Sequence, residues 1–176
     1  LLGMIHLLGA EAAGIAAVRA SGLEVTGLEA LRDFEGLDGA MHAYKVDVAK
    51  AMLEICADLG GRLLLVEAST SKHASADPAA IARDLAKLAV LAVPLGIRVA
   101  YKGQPWSRTA RDFRQAADIV LRASVPNLGV AVDAFDVLAS GVPLDDLDIL
   151  DPDQTFLVQV SDYMWQEVRS AEEQAV

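Results

Sequence analysis

Apolar residues return along this chain with two different spacings, and the switches between them predict most of its elements. Leu1 to Ala20 is rich in alanine and leucine and reads as a helix closed by Ser21-Gly22, with Gly22 suited to the position just past a helix end. Leu23 to Leu28 (LEVTGL) alternates apolar with polar or small residues and reads as a strand, followed by a polar, glycine-bearing loop, RDFEGLDG, at Arg32 to Gly39. From Ala43 to Leu59, the spacing of Ala49, Met52, Leu53, Cys56 and Leu59 makes one apolar helical face, broken by Gly60-Gly61. Arg62 to Val66 is an almost continuous apolar run, as expected of a strand covered on both sides, and it ends at Glu67.

The second half repeats the scheme. Asp77-Pro78 supplies a capping side chain and a first-turn proline, and Ile81, Leu85, Leu88 and Ala92 line the helix that follows, closed by Pro94 and Gly96. Ile97 to Tyr101 reads as a strand that gives way to Lys102-Gly103-Gln104-Pro105-Trp106. Asp112 can cap the next helix, whose expected stripe is Phe113, Ala117, Val120 and Leu121. Pro126-Asn127 turns into the strand Leu128 to Val132, which ends at Asp133 and Asp136. After the acidic stretch Gly141 to Asp153, Thr155 to Val160 reads as another buried strand, and Tyr163 to Val176 carries helix-forming charge with little apolar periodicity.

Helices alternating with apolar strands specify a parallel sheet in an α/β protein. Five strands leave two architectures, an open doubly wound sheet or part of a (β/α)8 barrel, which normally takes about 250 residues. No GxGxxG follows the first strand, which weakens a nucleotide-binding open sheet. In either case chemistry gathers where strands end at their carboxyl side, so Lys102, Asp133 and Asp136 are the first candidates, and Glu67, which also ends a strand, is a further one for binding substrate or pairing with Lys102.

Composition narrows the function classes. The 176 residues are 53% hydrophobic, which excludes disorder and suits a single domain over residues 1–176. No apolar run reaches the length of a membrane span, and Leu1 to Leu8 lacks the basic start of a signal peptide. The lone Cys56 is expected to be a small buried hydrophobe, and a cytoplasmic location is the default. A net charge of −10 argues against nucleic acid or an anionic membrane as partner, although Lys102, Arg108, Arg111 and Arg114 form a local basic cluster. His6, His42 and His73 lie at no metal-ligand spacing, and no GxSxG or Ser-His-Asp pattern is present.

RDFEGL at Arg32 to Leu37, the strand RLLLV, then RVAYKGQPWSRTARDFRQAADIV, PNLGVAVDAFDVLASGVPLDDL and FLVQVSD resemble, in that order, the xylose-isomerase-like TIM-barrel superfamily of sugar phosphate isomerases and epimerases, within it the bacterial 3-dehydroshikimate dehydratases. The resemblance implies a (β/α)8 TIM barrel, here incomplete, whose visible units look like the second to the sixth. It also implies a small-molecule substrate, a lyase or isomerase activity, and a divalent metal (Mg, Mn or Co) at the mouth of the barrel. A homo-oligomer is compatible with it.

Carried over position by position, the match is uneven. Where the family has Tyr-Glu at the end of its fourth strand, with the Glu on the metal, this chain has Tyr101-Lys102. The family's Trp-Gly-Arg-His reads here Trp106-Ser107-Arg108-Thr109, and its Asp-x-x-His reads Asp133-Ala134-Phe135-Asp136. The Gln of the sixth strand matches at Gln159, and the Glu ligand of the eighth strand has no counterpart. Asp133, Asp136 and Gln159 would make a weak metal site with an ammonium beside it, and Lys102 paired with Asp133 and Asp136 in the cation's place is the favoured alternative.

The expected catalytic residues are Lys102 and Arg108. Glu67, Trp106 and Phe135 are expected to bind substrate. The chemistry the resemblance implies is proton abstraction next to the carbonyl of a small polyhydroxylated compound. Two readings stand beside it: Schiff-base chemistry at Lys102 without a metal, and a degenerate barrel that binds a ligand or partner without catalysis.

Overall fold

The computed structural model describes residues 11–161. In chain order, helix α1 (Glu11–Ala20) precedes strand β1 (Leu28–Arg32), α2 (Gly39–Asp58), β2 (Leu63–Glu67), α3 (Pro78–Ala92) and β3 (Arg98–Lys102). Helix α4 (Phe113–Ala123), β4 (Leu128–Asp133), a short α5 (Ala134–Ser140) and β5 (Thr155–Gln159) complete it. The five strands form one parallel sheet in the order β1-β2-β3-β4-β5.

That order decides between the two architectures. A doubly wound sheet reverses its strand order at a switch point and is covered by helices on both faces. Here the order never reverses, and the two faces differ. One face packs Leu64, Val66, Val99, Tyr101, Leu128, Val130 and Val132 against the helices in the main core. The other carries a small cluster of strand residues alone, Leu65, Ala100 and Ala131, flanked by Ala30, Leu63, Phe156 and Leu157. A sheet with helices on one face and only its own strand residues clustered on the other is an arc of a barrel wall.

Helix starts follow their caps. Asp77 Oδ1 accepts from the Ala79 amide at 3.0 Å ahead of Pro78, and Asp112 Oδ1 accepts from the Arg114 and Gln115 amides at 2.9 and 3.0 Å. Ile81, Leu85, Leu88 and Ala92 are all buried, as their spacing predicts, and so is Cys56.

Four expectations are corrected. The first strand forms at Leu28–Arg32 and not at Leu23–Leu28, because Leu28 and Leu31 are the buried residues while Leu23 is 76% exposed. The stretch after β1 is a loop as read, but its polar character does not keep it at the surface, since Phe34, Glu35 and Leu37 are buried. On α4 the buried residues are Phe113, Ala116, Ile119 and Val120, with Leu121 turned to solvent at 69% exposed. Strand β5 is only half-buried, for β4 covers one edge and no described strand pairs with the other. The stretches Leu1 to Ala10 and Tyr163 to Val176, read as helical, lie outside the described residues.

Candidate active site

Strand alternation builds the site. Residues on the inner face of a strand recur every second position, so above Leu65, Ala100, Ala131 and Leu157 come Glu67, Lys102, Asp133 and Gln159, at the last position of each strand. The register brings Arg32 beside Glu67, Glu67 beside Lys102, and Asp133 beside Gln159. Asp136 reaches the same place from the first turn of α5, whose cap is Asp133 itself, accepting from the Phe135 amide at 2.9 Å.

Lys102 stands at the focus. Its Nζ lies 3.2 Å from Asp136 Oδ2, 3.3 Å from Glu67 Oε1 and 3.7 Å from Asp133 Oδ2. Burial works to lower its pKa, but the Asp136 and Glu67 carboxylates outweigh burial and hold it above the ordinary value. The amine is thus an ammonium. Burial pushes Asp136 up from the usual carboxylate range, against the opposing pull of Lys102. Arg32 covers the cluster from the mouth, donating from Nε to Glu67 Oε2 at 2.7 Å.

These groups line a cavity of about 460 Å³ whose remaining wall includes Trp106 and Phe135, tilted against each other with ring centroids 6.2 Å apart. Of the residues expected from sequence, Lys102, Glu67, Asp133, Asp136, Trp106 and Phe135 meet in this one cavity. Gln159 sits at the end of β5, where its Nε2 donates to Glu29 Oε1 at 2.6 Å. Arg108 does not join them. Its amide and the Ser107 hydroxyl both donate to the Ser69 carbonyl, at 2.8 and 2.9 Å, and that fold of the loop turns the Arg108 side chain outward to a separate cleft with Arg111 and Arg114.

Sequence reasoning missed Asp33, which lines the cavity too, and a buried polar layer around Glu35. Asp33 Oδ1 accepts from the Thr70 and Ser71 amides and the Ser69 hydroxyl at 2.9 to 3.0 Å, bonds that together outweigh burial and lower its pKa. Glu35 is fully buried. Its Oε1 accepts from Thr109 Oγ1 at 2.6 Å, the Ser69 amide at 2.7 Å and the Tyr101 hydroxyl at 2.9 Å. Its Oε2 meets no partner among the described residues, and burial pushes its pKa up. Asp33 and Glu35 do stand in the RDFEGL stretch, so their only signal is family likeness.

The cluster fits an ammonium and not a divalent ion. Metal–oxygen contacts run at about 2.0–2.6 Å, whereas these oxygens stand 3.2 to 3.7 Å from a common centre that a bonded side chain already fills. Among the described residues no group of three or more His, Cys, Asp or Glu side chains could hold a metal. His42 lies by Asp84 and Phe34, away from the cavity, and His6 is outside the described residues.

Comparison with known proteins agrees with the barrel fold. Residues 9–172 match the family described as xylose isomerase-like TIM barrel. A 3-dehydroshikimate dehydratase of Pseudomonas aeruginosa is 34% identical over 142 residues, covering 80% of this chain and 22% of its own length. An inosose isomerase of Bacillus licheniformis is 30% identical over 140 residues, covering 77% of this chain and 50% of its own. The crystal structure of the IOLI protein, which holds a zinc atom, superposes with a TM-score of 0.69 at 25% identity over 78% of this chain and 51% of that one. The chain therefore spans between about a fifth and a half of the length of these relatives.

Proposed function

The chain belongs to the xylose isomerase-like TIM-barrel family, and from that premise we propose that it takes part in proton transfer next to the carbonyl of a small polyhydroxylated ketone, as an isomerase or dehydratase. Relatives named 3-dehydroshikimate dehydratase and inosose isomerase support the reaction class. The observation that carries the assignment of roles is the ammonium of Lys102 held among three carboxylates in a cavity at the strand ends.

A substrate carbonyl oxygen takes a hydrogen bond from Lys102 Nζ, which opposes the negative charge that develops on that oxygen. Asp136 receives the proton from the adjacent carbon, because Glu67 is already engaged by Arg32 and Lys102, whereas Asp136 is tied among the described residues only to Lys102. The electron pair of the broken C–H bond becomes the enediolate. Return of that proton from Asp136 to the former carbonyl carbon, as the neighbouring hydroxyl passes its own proton to the first oxygen and becomes the new carbonyl, isomerises the substrate. Delivery of the Asp136 proton to a β-hydroxyl instead lets that group leave as water while the electron pair forms the new C=C bond and the carbonyl returns. Trp106 and Phe135 offer apolar faces to the C–H side of the ring. Schiff-base chemistry is the poorer reading, since it needs a neutral amine and three carboxylates surround this one. No helix among the described residues is long and apolar enough to cross a membrane.

The test is solvent-deuterium incorporation followed by NMR with an inosose and with 3-dehydroshikimate as substrates. Exchange at the carbon next to the carbonyl of either one is expected. Absence of exchange and of product with both would overturn the proposal.

A further inference from the structure

A cluster of three carboxylates with one lysine at its centre poses a question of substitution rather than of pairing. Side-chain exposures at the site are 9% for Lys102, 14% for Glu67, 16% for Asp133 and 7% for Asp136, so the group is largely withdrawn from water. Carboxylates so withdrawn require a cation. Arg32 is 72% exposed and reaches only Glu67, so it cannot serve for the two aspartates. Among the described residues Lys102 alone meets all three.

We infer that the Lys102 ammonium is the site's resident cation, one that excludes divalent metal, and that removing it turns Glu67, Asp133 and Asp136 into a binding site for a divalent ion. The three acids come from two strand ends and one helix turn, so the backbone of each is placed independently of Lys102. Glu67 is bound by Arg32, Asp133 caps α5 through Oδ1, and Asp136 lies in the first turn of that helix. Truncating the lysine leaves three anionic oxygens around a space the size of its ammonium. Movements of about 1 Å, within the reach of side-chain rotation, shorten the present 3.2–3.7 Å spacing to metal–oxygen distances. In the protein as it stands, that space is covalently filled and carries like charge. The inference rests on the cluster's geometry and not on the proposed reaction. Its readout is binding, so its failure and the failure of the catalytic reading are told apart.

The experiment is calorimetric titration of MnCl2 into wild type, Lys102→Met, Lys102→Gln and the double variant Lys102→Met/Asp136→Asn. Wild type is expected to show no saturable uptake at millimolar Mn²⁺. The single Lys102 variants are expected to bind at least tenfold more tightly than wild type, and the double variant to lose that gain. Saturable binding by wild type that disappears in Asp133→Asn overturns the inference, and that arm needs no Lys102 variant to fold. Folded Lys102 variants that bind no better than wild type overturn it as well. If Lys102→Met folds poorly, Mn²⁺ present during refolding should restore the native circular-dichroism signal, and failure to restore it counts against the inference.

Discussion

Tyr101 and Lys102 are neighbours on β3, yet they serve two polar regions that solve the same problem in opposite ways. Lys102 points to the inner face and meets three carboxylates. Tyr101 points to the outer face and meets one, Glu35, which has no ion-pair partner among the described residues. On the inner side charge is answered by charge, and Lys102 is held above its ordinary pKa. On the outer side a buried carboxyl is answered by neutral donors and is pushed toward its protonated form, while Tyr101 is itself held well above its usual range by burial and by Glu35. A protein keeps a buried charge where the charge is used, and elsewhere lets hydrogen bonds and a proton do the stabilising.

The sharpest way to break this contrast is Lys102→Met. Removing the one donor aimed at a developing oxyanion is expected to lower kcat by about 10²–10³-fold, measured as the rate of solvent-deuterium exchange. An effect below tenfold would mean that the ammonium only balances charge. Next in size is Glu35→Leu, which removes the acceptor shared by the Ser69 amide and the Thr109 and Tyr101 hydroxyls and leaves these three buried donors only Thr109 Oγ1 and Ser107 Oγ to share. With a net penalty of about 1–3 kcal/mol for a stranded group, a loss of roughly 3 kcal/mol is expected in urea unfolding. A variant as stable as wild type would show that the three donors find other partners.

Glu35 also gives the outer layer a signature in pH. Its folded pKa is raised above the ordinary 4.5, so the folded state keeps a proton that the unfolded chain has released. Its contribution is fully present below the unfolded value and declines as pH rises through the folded one, by up to about 1.4 kcal/mol per pH unit. Asp136, also raised, slopes in the same direction. The wild-type curve therefore contains both, and only the difference between wild type and Glu35→Gln isolates Glu35. That variant keeps an oxygen for the three donors and should flatten the fall in stability as pH rises above the ordinary 4.5. Parallel curves would refute the assignment. Lys102 adds nothing to that window, because a lysine raised above 10.5 contributes below that pH and loses its share only at still higher values.

The same two regions show what a sequence makes legible. Glu67, Lys102 and Asp133 stand out because apolar strands end at them, and a strand end in a parallel sheet has one destination. Asp136 comes with Asp133 as one loop-adjacent pair. Glu35 leaves no such trace. A buried carboxyl carries no periodicity, and between Arg32 and Gly39 it is one polar residue among several. Its burial is decided by Thr109 and Tyr101, 74 and 66 residues away. Arg108 misleads in the reverse manner. Only four residues from Gln104, which lines the cavity, it is carried outward because Gly103 packs its backbone against the Asp112 carbonyl and the loop then pins itself to Ser69.

The smallest expected effect sharpens the contrast most finely. Asp133 does two things at once, capping α5 with Oδ1 and presenting Oδ2 to Lys102 at 3.7 Å, the longest of the three contacts. The substitution Asp133→Asn retains a side-chain oxygen that caps nearly as well, so stability should change by less than about 0.5 kcal/mol in urea unfolding. The charge it removes is the most distant of the three, and Glu67 and Asp136 still flank the ammonium. Activity should therefore fall far less than in Lys102→Met. If Asp133→Asn instead proves as damaging as losing the lysine, the longest contact is the one that positions Nζ, and the cluster is a single interlocked unit rather than a lysine held chiefly by Glu67 and Asp136.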